Sequence, residues 1–582
     1  MMTISTVPAP RYGLSFLRSR FSDGGGWLAA ATVIAGLVLA PIVALALIAT
    51  QGSGDLWPHL AAYVLPTALH DTAILLLGVG LIVIVIGTGT AWLVTAYDFP
   101  GRAVLDWALL LPLAVPTYII AFAYLDLLHP LGPVQGLLRA VLGIAHPRDL
   151  WFPDIRSLWG CVLLLGLVLY PYVYLSARAM FLMQSACIIE VSRTLGQSRW
   201  GAFYRVALPL ARPAIAVGTS LALMEALNDI GASEFLGART LTVSIYATWI
   251  NRSSLPGAAQ IALVMLAIVV SLVVIERWAR RRQRYAVAAQ RSRRTLPQRL
   301  GGAAGFAALA VGALPVLFGF VLPVVHLAAA AAARIGFAGL SPAIAQETMN
   351  TVSMAGVATA VTIGLGLSIA YTTRLMRSPL AGTLARVASL GYAVPGTVLA
   401  VGLLTPLAAI DNAVDGVARH VFSISTGLLL SGSGAALVYA YATRFLAIAN
   451  GGIEAGFSKI PHSLDYAGRT LGQTAGGVMR RIHLPLIRPA LVAATLLVFV
   501  DCMKELPATL LLRPLNFETL ATHLYAEAAR GTYEDGAVAA LLIVLFGLVP
   551  VILLARMSRQ PQLESSRPSS PGASSRTGSF RP

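Results

Sequence analysis

Two groups of polar side chains interrupt otherwise apolar runs of this 582-residue sequence: Glu225, Asn228 and Asp229 in one, and Asp501, Lys504 and Glu505 in the other. They align pairwise at a constant numbering offset of 276, Glu225 with Asp501, Asn228 with Lys504 and Asp229 with Glu505. On a helix, spacings of three and four place each trio on one face. Ionisable groups surrounded by apolar residues are costly, so they face a cavity or one another. Their oxygens are suitable hard ligands for a highly charged cation, and they equally suit a ring that tunes charge along a passage. The structural alternative pairs Lys504 with Asp501 or with a carboxylate of the other trio, tying the two runs together. The expectation is that both trios line a passage, with no metal site assigned to them.

Other candidate chemistry is sparse. His129, His146, Asp149 and Asp154 share the stretch 126–157, but their irregular spacing and neighbouring prolines read as a solvated docking loop rather than a metal site. Cys161, Cys187 and Cys502 lie far apart and fit neither a disulfide framework nor a zinc site. No G-x-x-x-x-G-K-[ST] phosphate loop exists; the two lysines, Lys459 and Lys504, lie in Phe-Ser-Lys-Ile-Pro and Met-Lys-Glu-Leu. Nor is there a His-Glu-x-x-His motif or a paired nucleophile and base.

The elements that hold the trios follow from composition. The chain is 57% hydrophobic and 12% charged, with mean hydropathy +0.76; a soluble protein would carry about twice that charge fraction. Apolar runs fall at 27–49, 72–96, 105–125, 158–183, 213–232 and 255–279, then at 303–330, 348–373, 383–408, 425–449, 488–509 and 536–556. Backbone polar groups cannot stay unpaired in lipid, so these runs are expected to be helices. Ten-residue alternating patterns are absent, which excludes a transmembrane barrel. The fold class is therefore an all-α polytopic membrane protein with about twelve transmembrane helices. The trios sit 12–16 residues beyond Arg212-Pro213 and its counterpart, roughly 18–24 Å up a helix at about 1.5 Å per residue.

Orientation follows from arginine. Nine arginines lie between Arg277 and Arg299, whereas residues 50–71 hold Asp55 and Asp71 and no Lys or Arg. The net charge of +17 thus reads as cytoplasmic loops, not nucleic-acid binding, with both termini in the cytoplasm. The run from Trp27 to Ala49 follows Arg11, Arg18 and Arg20, lacks a clear cleavage site and reads as a retained first span. Six spans per half give both halves the same orientation, as parallel repeats. The expected organisation is a cytoplasmic tail at 1–26, a first repeat at 27–285, a basic linker at 286–302, a second repeat at 303–557, and a disordered Ser- and Pro-rich tail at 558–582.

The best-preserved part of the repeat is a polar loop. From Arg193 to Gly218, 13 of 26 positions recur at the same offset of 276. The first copy reads Glu190-Val-Ser-Arg-Thr-Leu-Gly196, then Val206-Ala-Leu-Pro209; the second reads Asp465-Tyr-Ala-Gly-Arg-Thr-Leu-Gly472, then Ile482-His-Leu-Pro485. Two short helices joined at the glycine are expected, since glycine takes the positive φ that such a bend needs. Both copies resemble the "EAA" loop of binding-protein-dependent ABC importer permeases. Both also depart from it: Val191 and Ser192 replace alanines, and Asp465 lies one residue before the Glu190 register.

Longer strings, Asp98-Phe-Pro-Gly-Arg102, Leu111-Pro-Leu-Ala-Val-Pro116, Met224-Glu-Ala-Leu-Asn-Asp-Ile-Gly231 and Lys504-Glu-Leu-Pro-Ala-Thr-Leu-Leu-Leu-Arg-Pro514, are similar to fused ferric-iron-type permeases. The resemblance covers about residues 60–280 and 340–556 and implies a type I ABC importer permease fold in a bacterial inner membrane. It implies coupling loops built on Glu190, Arg193, Gly196, Leu208, Pro209, Asp465, Arg469, Gly472, Leu484 and Pro485. It further implies two copies of an ATPase subunit inside, a solute-binding protein outside, and ATP and Mg on the ATPase, with no cofactor on this chain. Ferric iron is the expected substrate. Thiamine, polyamines, phosphonates and oxyanions are the alternatives within the class. A major-facilitator-like secondary transporter shares the two six-span halves but leaves the duplicated loop unexplained.

Overall fold

The computed structural model describes residues 15–183, 196, 198–281 and 297–564. Among the described residues ten helices are long and apolar enough to cross a bilayer, and a pair bent by 91°, Arg102–Ala114 with Thr117–Leu127, makes an eleventh. Ala435–Ser458, tenth in chain order, brings the total to twelve; Arg444 and Asn450 lower its hydropathy. The first half thus holds spans one to six: Gly25–Thr50, Leu56–Ala96, the bent pair, Leu158–Leu182, Trp200–Asn228 and Leu255–Ile275. The second holds spans seven to twelve: Gly302–Ala338, Pro342–Met376, Gly396–Phe422, Ala435–Ser458, Ala475–Met503 and Tyr533–Leu553.

The bend in span three has a local cause. Val115 precedes Pro116 and is extended, at φ −109° and ψ 120°; Val394 before Pro395 does the same, at φ −85° and ψ 123°. Proline's ring pushes the preceding residue out of the helical region. The uninterrupted runs expected at 105–125 and 383–408 are therefore each two segments. The run expected at 425–449 also changes, because its helix begins only at Ala435.

The two halves embrace. The first span leaves its own half and lies on spans eight and ten, where Tyr439 donates to the Leu37 carbonyl at 2.6 Å and Thr372 to that of Trp27 at 3.1 Å. Span seven crosses the other way, where Tyr124 donates to the Phe318 carbonyl at 2.7 Å and His326 meets Asp126 at 2.9 Å. Spans six and twelve also bury side chains against the opposite half.

Segment boundaries differ from expectation at three places. The first helix begins at Ser15, inside the stretch read as a tail, and the last runs to Glu564, past the boundary set at 558. The linker's end is structured, with Gln298-Arg299 pairing in parallel with Tyr97-Asp98. Residues 282–296 of that linker lie outside the described set.

Candidate functional site

All six residues of the trios line one cavity of about 120 Å³ between the halves, joined by Thr117, Tyr118, Tyr172, Tyr392 and Arg444. They do not all project from helix faces, as the sequence spacing implied. The fifth span's helix stops at Asn228 and the eleventh's at Met503. Each chain then breaks and resumes as a short helix, Gly231–Phe235 or Pro507–Leu512. Asp229, Lys504 and Glu505 sit in the breaks.

Two carboxylates serve those short helices. Asp229 Oδ1 accepts from the Ser233 amide at 3.1 Å, and the Thr117 hydroxyl donates to Oδ2. Glu505 accepts from the Ala508 amide at 3.0 Å, the Thr509 amide at 3.1 Å and the Thr509 hydroxyl at 2.9 Å. The first amides of a helix have no partner within it, and a side-chain oxygen supplies one. Both residues are buried by this role.

The partly exposed residues are Glu225, Asp501 and Lys504. Lys504 Nζ meets Asp501 Oδ1 at 2.8 Å, and Tyr392 donates to Glu225 Oε1 at 3.0 Å. The trios thus divide: Asp229 and Glu505 shape the break, while Glu225, Asp501 and Lys504 face the open space.

Asn228 joins the halves. Its Oδ1 accepts from the Gly396 amide and from Arg444 Nη1, each at 2.8 Å. Position 396 has room only for glycine: a Cβ there would lie 2.6 Å from Glu505 Oε1 and 3.0 Å from Arg444 Nη1.

Sequence reasoning missed Arg444, Tyr118, Tyr172 and Tyr392. Arg444 aligns at the 276 offset with Val168, which also lines the cavity. Searching for likeness between halves passes over a residue that differs; a lone arginine in an apolar run was the available signal. Counting formal charges, four carboxylates (Glu225, Asp229, Asp501, Glu505) face two cations (Lys504, Arg444), an excess of two negative charges.

Of the duplicated loops, the second is described in full and the first only at Gly196 and from Ser198 onward. Gly196 and Gly472 both adopt left-handed φ, +83° and +78°. In the second copy the short helix Ser463–Thr470 leads into Gly472, and Thr474 then caps Ala475–Val478 through the Gly477 amide at 3.2 Å. Pro209 and Pro485 lie inside spans five and eleven, each just after one π-helical turn, Phe203–Ala207 and Met479–His483, a local widening that accommodates the N–H a proline lacks. Glu190 and Arg193 lie outside the described residues.

Asp465 turns inward. It meets Arg374 Nη2 at 2.9 Å, His462 at 3.0 Å and the ring of buried His483. Burial opposes its charge, yet hydrogen bonds from His462 and His483 and the Arg374 guanidinium hold its carboxyl below the usual range. This helix and the residue that follows it present Tyr466, Arg469 and Leu471, all exposed.

The stretch 126–157 forms the helix Pro133–Leu142 and an exposed loop in which Asp154 accepts from the Arg156 amide at 2.8 Å. Among the described residues no three His, Cys, Asp or Glu side chains gather at metal-binding spacing. Cys161 and Cys502 are buried free thiols, and Cys187 lies outside the described residues.

Residues 84–285 and 361–560 each match the binding-protein-dependent transport system inner membrane component family. The chain belongs to that family. It carries the family's domain twice, as a fused type I ABC permease with multiple membrane spans. It is 26% identical over 493 residues to the Fe(3+)-transport system permease protein FbpB 2 of Haemophilus influenzae, covering 84% of this chain and 89% of that one. The probable ABC transporter permease protein y4fN of Sinorhizobium fredii is 24% identical, covering 86% and 89%. The molybdenum transport system permease protein ModB of Escherichia coli is 29% identical over 198 residues, covering 33% of this chain and 82% of its own. ModB thus matches about a third of this chain, while the other two relatives match most of it.

Proposed function

We propose that this permease forms the membrane path of a ferric-iron importer. It receives the ion from a solute-binding protein outside the cell and is driven by two ATPase subunits, which bind ATP and Mg themselves and dock on its two Gly-centred loops. The reading places the loops and both termini in the cytoplasm, consistent with arginine around the loops and carboxylates at the opposite end. No phosphate-binding loop occurs in the sequence, which supports a separate motor.

The observation that carries the substrate is the charge of the cavity. Relatives transport iron in one case and molybdenum in another. A cavity with two more carboxylates than cations repels an oxyanion and attracts a highly charged cation, and carboxylate oxygens are hard donors. Glu225 and Asp501 reach the open space, while Lys504 and Arg444 keep the empty cavity from holding four unbalanced charges. The chemistry asked of the protein is passage without tight capture, which partial internal neutralisation favours.

The test is uptake of labelled ferric iron by iron-limited cells with and without the chain, alongside labelled molybdate. Iron accumulation that depends on the chain supports the reading. Chain-dependent molybdate uptake with no iron uptake refutes it.

A further inference from the structure

On the side of the cavity away from the loops, the halves touch again. Tyr246 and Tyr525 occupy equivalent positions, at an offset of 279, on the short helices Leu241–Ile250 and Leu520–Arg530. Their rings meet edge to face, centroids 6.3 Å apart. Residues related by a pseudo-twofold and in contact must lie on its axis, so this pair sits where a passage between the halves would open. Tyr525 also donates to Glu234 Oε2 of the other half at 2.5 Å. Glu234 lies one helical turn beyond Gly231, which lines the cavity. All three side chains remain partly exposed.

The two helices are held in place twice over by the same device. Thr72 accepts from the Leu241 amide at 3.0 Å, and its counterpart Thr351 from the Leu520 amide at 2.9 Å. Asp71 accepts from the Arg239 amide at 3.2 Å, and its counterpart Asn350 donates to the Glu518 carbonyl at 2.9 Å. Span two of each half therefore fixes where its tyrosine points.

We propose that Glu234, Tyr246 and Tyr525 form an outer binding site for a ferric ion, distinct from the inner cavity and closed as a latch when empty. This rests on the ferric reading above. One carboxylate and two phenolates supply three negative oxygen donors, which neutralise a trivalent cation and leave a divalent one over-compensated. Such donors are hard, matching ferric iron, and tyrosinate is an established iron ligand. Binding releases two phenol protons to solvent and changes no oxidation state. Without an ion, the Tyr525–Glu234 hydrogen bond joins the two halves at this point. The counterpart of Glu234 is Arg513, which pairs with Glu518 and also stands near enough to Tyr246 to act on it electrostatically. Because the donors come from both halves, an ion bound there replaces the latch's hydrogen bond and changes how the halves meet ahead of the cavity.

The test titrates the purified full-length permease–ATPase complex with ferric nitrilotriacetate and reads visible phenolate-to-iron charge-transfer absorption. Wild type is expected to show the band, and Y246F/Y525F, which retains both rings, to lose it. No band in wild type overturns the site. So does a band that survives Y246F/Y525F, or one lost instead in Y172F/Y392F, which would place the ion in the inner cavity. Uptake separates this from the substrate reading. Ferric uptake by wild type that falls at least tenfold in Y246F/Y525F supports the site, and uptake unchanged in that variant refutes the site alone. No ferric uptake by wild type refutes the reading beneath it.

Discussion

Asn228→Ala isolates the bond that holds the halves together at the cavity. Two donors converge on one oxygen, the Gly396 amide and Arg444 Nη1, both from the second half. Asn228 is 8% and Arg444 6% exposed, so truncation leaves both donors dry. A buried amide without an acceptor costs about 1–3 kcal/mol, and a lost hydrogen bond to a charged group about 1.5–3 kcal/mol. The two losses share an atom and are not additive. The expected destabilisation is therefore about 3 kcal/mol, a shift of about 150-fold in the folding equilibrium. Asn228→Asp keeps an acceptor for both donors and adds charge attraction to Arg444, so it should hold stability while altering cavity charge. The assay is denaturant unfolding in detergent, followed by tryptophan fluorescence. A double-mutant cycle with Arg444→Met assigns the penalty: on top of Asn228→Ala, removing the guanidinium should restore part of the loss. If Asn228→Ala unfolds within about 0.5 kcal/mol of wild type, a scale set by ordinary surface substitutions, the bridging argument is wrong.

Glu225→Ala and Asp501→Ala should each reduce ferric uptake at least tenfold while the protein still elutes as a folded species; normal uptake would remove both from the path. Gly472→Pro imposes proline's fixed negative φ on a residue at +78°, so the variant should insert normally yet hydrolyse ATP without transport, and coupled transport in proteoliposomes would refute the bend's role. The hydrogen bond to Glu347, working against burial, raises the His523 pKa above its ordinary 6.5. Its stabilisation is complete below that value and fades as pH rises through the raised one; a thermal-melt series in detergent should show this fall, and His523→Gln should flatten it. Thr72→Val with Thr351→Val removes both acceptors that fix the tyrosine-bearing helices, and should lower melting temperature by more than either single change.

The repeat made most of this architecture readable. An offset near 276 paired Glu225 with Asp501 and the two loop glycines with each other, and the structure brings those trios to one cavity. What the sequence concealed has physical reasons. Helical spacing put Asp229 and Glu505 on the same faces as Glu225 and Asp501, because periodicity does not show where a polar side chain takes the backbone's amides and ends the helix. Val115-Pro116 was noticed as a repeat motif, but hydropathy alone carried one run across it, whereas the extended Val115 before the proline bends the span by 91°. Asp465 stood out by its place in a motif, but its ion pair with Arg374, far away in sequence, left no local mark. The Tyr246–Tyr525 pair was invisible for a simpler reason: no local pattern marks residues that meet on an axis.

The crossed first helix bears on how the chain is made. Leu37 reaches its hydrogen-bond partner Tyr439 across 402 residues. At a synthesis rate of about 5–20 residues per second, the ribosome needs about 20–80 s to deliver the surface on which that helix will rest. Throughout that interval the newborn segment has only lipid and its nearest neighbours for company. Maturation therefore ends with a docking step that no isolated amino-terminal half can complete.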